Sequence, residues 1–187
     1  REIPVDLLSL SAHKMYGPQG AGALWVRRRT PPVAIEAQLD GGGHERGLRS
    51  GTLNVPAIAG FGKAAALCAE EMAEASPRVA TLRDLLVGGI RRELPWILEN
   101  GNTRNRLPNN ASITFPGLQA DRLLRLMGGI AVSTGAACSS TRPGTSHVLK
   151  AIGLTPALAG ATIRFSPGRK TTEEEIHRAT AIVVRGV

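Results

Sequence analysis

The fold is decided by the stretch VDLLSLSAHKMYGPQG, residues 5–20. It opens with a short apolar run, Val5 to Leu10, whose length and composition are typical of a buried strand. A polar connection that contains glycine follows, and then a second apolar run, Ala21 to Val26. Two strands joined by a polar loop are therefore predicted at the start of the chain.

The loop between these strands carries Lys14 directly after His13. A lysine just past a buried strand is well placed for covalent chemistry, because its amine becomes a nucleophile and base when a neighbouring cation or partial burial favours the neutral form. The alternative is a solvated lysine, which is the commoner case after a strand. Local sequence alone leaves both interpretations open.

Composition limits the class of protein. The chain has 187 residues, of which 42% are hydrophobic and 20% charged, enough for one large domain or two small ones. It contains no apolar run of the length that spans a membrane. Its beginning, Arg1 to Asp6, lacks the apolar core of a signal peptide and reads like a chain in mid-domain.

The two cysteines, Cys68 and Cys138, are too few for a disulfide framework and suit a reducing cytoplasm. There is no CxxC pair and no zinc-ligand spacing, so no resident metal site is predicted. The net charge is +8, but aromatics make up only 3%, and basic residues are not interleaved with them. The charge is therefore interpreted as a solvated surface with some arginine-rich anion sites, and nucleic-acid binding is not predicted.

Helical periodicity begins after Pro56. Its apolar positions recur every three or four residues, at Ile58, Phe61, Ala65, Cys68 and Met72. Ser76-Pro77 predicts a new helix, with serine as N-cap and proline in the first turn, and its buried stripe is Val79, Leu82, Leu86 and Ile90. We therefore expect two domains, residues 1–75 and 76–187.

The second part mixes strands and helices. Strands are predicted at 111–115, 130–133 and 162–166, and helices at 121–127 and 146–152. Thr172 with Glu175 predicts a capping box that opens the last helix. The fold class is therefore α/β, with a small α+β domain at the C-terminal end.

Three further features carry chemistry. The glycine loop, residues 41–52 (GGGHERGLRSGT), lets backbone approach a bulky anion, with Thr52 as hydroxyl donor, although a plain surface loop has the same composition. Cys138 follows a predicted strand among small residues, which favours an exposed nucleophile, whereas Cys68 looks like a small buried hydrophobe. Arg164 lies in mid-strand, where it needs either a carboxylate ligand or a structural salt bridge.

These motifs together resemble the class V aminotransferase family of pyridoxal-phosphate (PLP) enzymes, and more narrowly its NifS/IscS-like, group I cysteine desulfurases. The matching segments occur in the family's order: 5–20, 41–52, 132–140 and 162–166. The resemblance implies part of the large PLP-binding domain in residues 1–75 and a small domain that carries the cysteine loop in residues 76–187.

The resemblance also implies roles for single residues. Lys14 would hold PLP covalently, Ser11, Ala12 and His13 would contact the cofactor, and Thr52 would reach the PLP phosphate of a dimer partner. Cys138 would accept sulfur from L-cysteine as a persulfide, and Arg164 would bind the substrate carboxylate. The implied enzyme is a cytoplasmic homodimer with shared active sites that passes sulfur to an acceptor, such as an iron–sulfur scaffold. The resemblance allows one metal contact, a transient one between Cys138 and an iron–sulfur cluster.

Family members are about twice this long, and the resemblance places the ring-stacking histidine and the aspartate partner of the pyridine nitrogen in their first half. We therefore expect a fragment or one piece of a split enzyme that does not turn over L-cysteine alone. Two alternatives stay open: an aminotransferase or lyase of the same fold in which Cys138 is incidental, and a non-catalytic interaction module.

Overall fold

The computed structural model describes residues 4–134 and 146–187. The chain divides into two compact units, Arg1–Met72 and Ala73–Val187. The division falls inside the first helix, α1 (Val55–Glu93). The domain boundary expected after residue 75 lies a few residues further along this helix.

The first unit contains a two-stranded antiparallel ribbon, β1 (Leu7–Ser11) and β2 (Gly22–Val26). Its register pairs Leu7 with Val26 and Ser11 with Gly22. Both predicted strands are therefore confirmed, but the predicted burial is wrong for this chain. The large apolar side chains of the ribbon are 44–52% exposed, because no second layer of the described residues covers them: Leu7, Leu8, Leu24 and Trp25.

Helix α1 runs without interruption through Pro77, so the helix restart predicted at Ser76-Pro77 is wrong. Proline in a helix interior costs about 3 kcal/mol, because it removes one backbone hydrogen bond and crowds the preceding turn. Burial of apolar side chains in the turns that follow offsets this cost. The predicted stripe is indeed buried: Val79, Leu82, Leu86 and Ile90.

The first half of α1 buries a different face from the predicted one. Ile58 and Met72, at the two ends of the predicted apolar stripe, are 46% and 63% exposed. The buried position is instead Ala64, and Cys68 is half-buried on the same side of the helix. Gly17 and Pro18 lie close to this side of the helix, and this close packing favours small side chains over the predicted apolar stripe.

The second unit is built on an antiparallel sheet in the order β3–β4–β5, with strands β3 (Leu98–Glu99), β4 (Ala111–Thr114) and β5 (Thr162–Phe165). This unit also contains four α-helices: α2 (Ala120–Leu126), α3 (His147–Ala151), α4 (Pro156–Gly160) and α5 (Glu173–Gly186). β3 and α4 had no prediction, because neither is long enough to produce a periodic pattern.

Two local predictions in this unit have different outcomes. The capping box that opens α5 is confirmed: the Thr172 hydroxyl accepts from the Glu175 amide (3.2 Å), and the Glu175 carboxylate accepts from the Thr172 amide (2.9 Å). The strand predicted at 130–133 is wrong, because this segment reaches β5 only at Ser133, which forms an isolated bridge with Arg164.

The core of the second unit lies between one face of the sheet and the helices. Ile113, Phe115 and Ile163 are fully buried, together with Ile90 of α1 and Val183 of α5. Alternation along β5 places Ile163 and Phe165 on this face and leaves the opposite face for polar side chains.

We expect Ile90→Ala to lower the free energy of unfolding of the 187-residue chain by about 2–5 kcal/mol, because it opens a cavity in a close-packed core. Met72→Ala removes a side chain of similar size from the same helix, but from a position that is 63% exposed. Denaturant unfolding followed by circular dichroism measures both. Equal losses in the two variants would contradict the assignment of this core.

Candidate active-site elements

Lys14 lies in the lysine segment, residues 12–18, which begins with a single 3₁₀ turn, Ala12–Met15. Ala12 is completely buried and anchors the segment. Its amide donates to the Ala21 carbonyl (3.0 Å), and its carbonyl accepts from the Gly17 amide (2.9 Å). The segment therefore holds its shape through backbone bonds at Ala12.

The two residues that follow Ala12 are not buried with it. His13 and Lys14 are exposed, and Ser11, the N-cap of the turn, makes no capping hydrogen bond. The partial burial expected around Lys14 is not provided by the described residues. The sequence predicted that Ser11, His13 and Lys14 follow the first strand. In the structure Ser11 ends β1, and His13 and Lys14 lie in the turn directly after it.

The glycine loop is closed on itself by polar contacts. The Gly43 amide donates to the Ser50 hydroxyl (3.2 Å), and the Gly51 amide donates to Nδ1 of His44 (3.3 Å). The Ser50 amide donates to the Leu39 carbonyl (3.0 Å), and the side chain of Ser50 is buried. Ser50 therefore organises this loop, a role that the sequence pattern did not single out.

The centre of the glycine loop has an unusual backbone. Glu45, Arg46 and Gly47 all have positive φ, at 53°, 60° and 83°. Two consecutive non-glycine residues in this region are strained, and such strain is concentrated at binding and switch segments. Thr52, the last residue of the loop, has an exposed side chain, and Asn54 then caps α1 by accepting from the Ala57 amide (3.2 Å).

Arg164 lies in the middle of β5, on the polar face of the sheet. Its Nε atom is buried and has no hydrogen-bond partner among the described residues. A buried donor without a partner costs about 1–3 kcal/mol, and more when it is charged. The structural salt bridge that sequence left open is therefore not formed within residues 4–134 and 146–187.

A cavity of about 290 Å³ opens beside Arg164. Polar side chains contribute much of its wall, and α3 with the residue that follows it adds three apolar residues; the wall includes Asn100, Ser112, Ser146, Thr162, Val148, Leu149 and Ile152. An anion of amino-acid size that entered this cavity would meet the side chain of Arg164. The arrangement suits a carboxylate, because guanidinium and carboxylate form paired hydrogen bonds.

The polar neighbours of Arg164 are already occupied with one another. The Asn100 amide donates to the Thr114 hydroxyl (2.8 Å), which lies 2.7 Å from the Thr162 hydroxyl. Thr162 in turn donates to the Leu158 carbonyl (2.8 Å). This row ties together the part of the cavity wall to which Asn100 and Thr162 contribute.

The segment that leads to Cys138 starts beside Arg164. The Arg164 amide donates to the Ser133 carbonyl (2.7 Å), and the Ser133 amide donates back to Arg164 (3.2 Å). Ser146, on the far side of Cys138 in the sequence, lines the same cavity as Arg164. Cys138 itself lies outside the described residues.

Cys68 is half-buried, and its thiol donates to the Met15 carbonyl (3.6 Å). Within the described ranges, no cluster of three or more potential metal ligands is found. None of the helices in those ranges combines the length and apolar character that a membrane crossing requires. His147 and His177 are both exposed.

Comparison with known proteins gives consistent matches. The profile of the family described as "Aminotransferase class-V" matches residues 1–179. Cysteine desulfurase IscS of Anaeromyxobacter sp. (strain Fw109-5) is 50% identical over 183 residues, which cover 98% of this chain and 45% of that protein. The chain thus spans less than half the length of the curated relatives that it matches.

Solved structures agree in fold. A NifS-like protein superimposes with a TM-score of 0.84 at 36% identity, covering 97% of this chain and 46% of the other. The structure of SspA in complex with cysteine matches with a TM-score of 0.60 at 32% identity, covering 90% and 45%. The fold expected from sequence, part of a PLP-dependent transferase, is confirmed by these likenesses.

Proposed function

Because this chain belongs to the class V aminotransferase family, we propose that it supplies the covalent lysine, the sulfur-accepting cysteine and the carboxylate-binding arginine of a PLP-dependent cysteine desulfurase. The reaction is conversion of L-cysteine to L-alanine, with sulfur retained on Cys138 as a persulfide. The IscS relatives support this choice of reaction within the family.

The observation that carries the proposal is the buried Nε of Arg164, which has no partner among the described residues and belongs to a side chain that lines a cavity. None of the ion pairs among the described residues includes Arg164, so its positive charge suits a carboxylate ligand such as the α-carboxylate of L-cysteine. SspA, a solved relative, binds cysteine. We assign carboxylate binding to Arg164 on these grounds.

The residues around Lys14 fit PLP. His13 and Lys14 are exposed beside a serine hydroxyl that makes no capping bond, so one amine and two polar groups are available at the end of β1. Ser11 and His13 would hold the phosphate, and Lys14 would hold the aldehyde carbon; Ala12 would act through the backbone anchor described above. PLP, when bound, withdraws electrons from Cα of the amino acid and makes its proton labile.

In this proposal, Lys14 moves a proton at Cα of L-cysteine as base and acid. The Cys138 thiolate attacks the substrate sulfur, an S–S bond forms, and the substrate C–S bond breaks. The carbon skeleton takes up a proton and leaves as L-alanine, so that one sulfur atom passes from substrate to Cys138. The sulfur then goes to an acceptor protein.

Thr52, exposed at the end of a strained loop, is proposed to contact the PLP phosphate of a second copy, which makes the enzyme a homodimer with shared sites. The acceptor is proposed to be an iron–sulfur scaffold protein.

A chimera tests these assignments: residues 1–187 replace the matching segment of the Anaeromyxobacter IscS.

We expect Arg164→Leu to lower kcat/KM of the chimera for L-cysteine about 100-fold, mainly through KM, because a charge-assisted hydrogen bond to the carboxylate is lost. Arg164→Lys should recover only part of this loss, since lysine keeps the charge without the planar fork. Steady-state assays of alanine formation measure both variants. Arg122→Leu, at an exposed position of α2, is the control.

Stability separates this role from a structural one. Removal of a half-buried arginine whose buried Nε has no partner among the described residues should leave the free energy of unfolding of Arg164→Leu unchanged or higher, as is common when a functional residue is replaced. A structural ion pair would instead lose about 3 kcal/mol or more when one partner is removed. Destabilisation together with an unaltered KM would overturn the assignment.

A further inference from the structure

The lysine segment rests on one face of α1 that is made of small residues. These lie four positions apart, on successive turns of the helix: Gly60, Ala64 and Cys68. We call them the small-residue face of α1. All of their contacts described below lie within the first unit, Arg1–Met72.

Each member of the small-residue face meets a different part of the lysine segment. A Cβ placed on Gly60 would lie 3.1 Å from the Pro18 ring, so a larger residue there would require the ring to shift. A Cβ placed on Gly17 would lie 3.1 Å from the Ala64 methyl and 3.0 Å from Ala12. The Cys68 thiol donates to the Met15 carbonyl (3.6 Å).

These contacts run antiparallel along the helix. From Gly60 to Cys68, the segment passes from Pro18 back to Met15, and the buried anchor Ala12 lies beside the middle contact. Close packing of this kind is sensitive to one added methyl group, because the surrounding atoms cannot yield without moving backbone. The size of the side chains on α1 therefore sets how closely the lysine segment approaches this helix, which we call the depth of the segment.

We propose that the small-residue face of α1 positions Lys14: Ala64 sets the depth of the lysine segment, and the Cys68 thiol fixes its end by holding the Met15 carbonyl. This inference rests on the proposed cofactor role of Lys14. Ala64 and Cys68 are positioning residues, since they act through the backbone of the segment and touch neither cofactor nor substrate. Under this proposal, the role of Cys68 is structural and does not involve sulfur transfer.

The test uses the 187-residue chain and two readouts. The first is hydrogen exchange of the Ala12 and Gly17 amides, whose acceptors are the Ala21 and Ala12 carbonyls. We expect Ala64→Val to speed this exchange about tenfold or more, because the added methyl groups displace the segment. Ala65→Val adds the same volume at an exposed position of the same helix and should leave exchange unchanged.

The second readout is covalent labelling with PLP and borohydride at low PLP concentration, read by peptide mapping. The chain has four lysines, and exposed Lys150 and Lys170 serve as internal references. Label on Lys14 should exceed that on the references, and Ala64→Val should reduce this excess about fivefold or more, the size of a usual overpacking penalty. Ala65→Val should retain it.

Cys68 gives a milder pair of variants. Cys68→Ala removes the donor to Met15 and should lower the Lys14 excess about two- to tenfold, the usual range for one hydrogen bond. Cys68→Ser keeps a donor of similar size and should restore the excess to within about twofold of the unsubstituted chain. A general loss of folding would not distinguish serine from alanine in this way.

The outcomes separate the two proposals. If hydrogen exchange of the Ala12 and Gly17 amides is unchanged in Ala64→Val, the small-residue face does not set the depth of the lysine segment. If exchange is faster but the excess of PLP label on Lys14 is unaltered, the small-residue face does not position Lys14. Equal label on all lysines of the unsubstituted chain overturns the cofactor role of Lys14 and the positioning role with it, while exchange still decides whether the contact sets the segment's depth.

Discussion

Replacing Lys14 with alanine in the chimera should lower L-cysteine turnover by a factor of about 1,000 or more, because in the proposed mechanism one amine would both hold PLP and move the Cα proton. The structure supports a dedicated position: Lys14 lies exposed on a turn anchored by fully buried Ala12. Rates of alanine formation at saturating PLP measure the effect. Lys14→Arg should be equally inactive, since guanidinium does not lose its proton in proteins.

The matched control is Lys63→Ala, which removes an exposed lysine from α1. It should leave turnover within about twofold of the unsubstituted chimera, as expected for a surface substitution. Activity of Lys14→Ala close to that of this control would rule out Lys14 as the covalent lysine. A phosphopyridoxyl label on Lys63, Lys150 or Lys170 instead of Lys14 would lead to the same conclusion.

Cys138→Ser should remove the persulfide entirely and lower sulfide release from L-cysteine in the chimera by about 100-fold or more, because a hydroxyl cannot take the place of the thiolate as sulfur acceptor. The substitution should leave the proposed carboxylate-binding site intact, so L-cysteine should still bind. Intact-mass spectrometry after exposure to L-cysteine detects one added sulfur atom in the unsubstituted protein and none in the variant.

Cys68→Ser is the control for this experiment, because it changes the other cysteine of the segment while keeping the donor to the Met15 carbonyl. It should form persulfide to the same extent as the unsubstituted chimera. Sulfur found on Cys68 would overturn the assignment. Full alanine or pyruvate production by Cys138→Ser would instead favour the aminotransferase or lyase alternative, in which Cys138 is incidental.

Several features could be predicted because their causes are local. The Thr172–Glu175 capping box needs only residues three apart, and the stripe Val79, Leu82, Leu86 and Ile90 needs only helical spacing. The motifs around Lys14, Cys138 and Arg164 likewise identified the family before any contact was known. Each of these signals lies within a short window of sequence.

Other features depend on distant neighbours and could not be read from such windows. Pro77 predicts a helix end, yet α1 continues through it, because burial further along the helix offsets the lost hydrogen bond. The exposure of Leu7 and Trp25 in the ribbon depends on which layers surround it. No local pattern carries that information.

The sequence by itself determined the family, the strands and helices that have a strong period, and the identity of the candidate residues Lys14, Cys138 and Arg164. Only the tertiary structure decided that α1 faces the lysine segment with Gly60, Ala64 and Cys68, and that Nε of Arg164 is buried without a partner among the described residues. The reason is physical: helical and strand periods are set by residues a few positions apart, whereas close packing and the supply of hydrogen-bond partners are set by whichever segments the fold brings together.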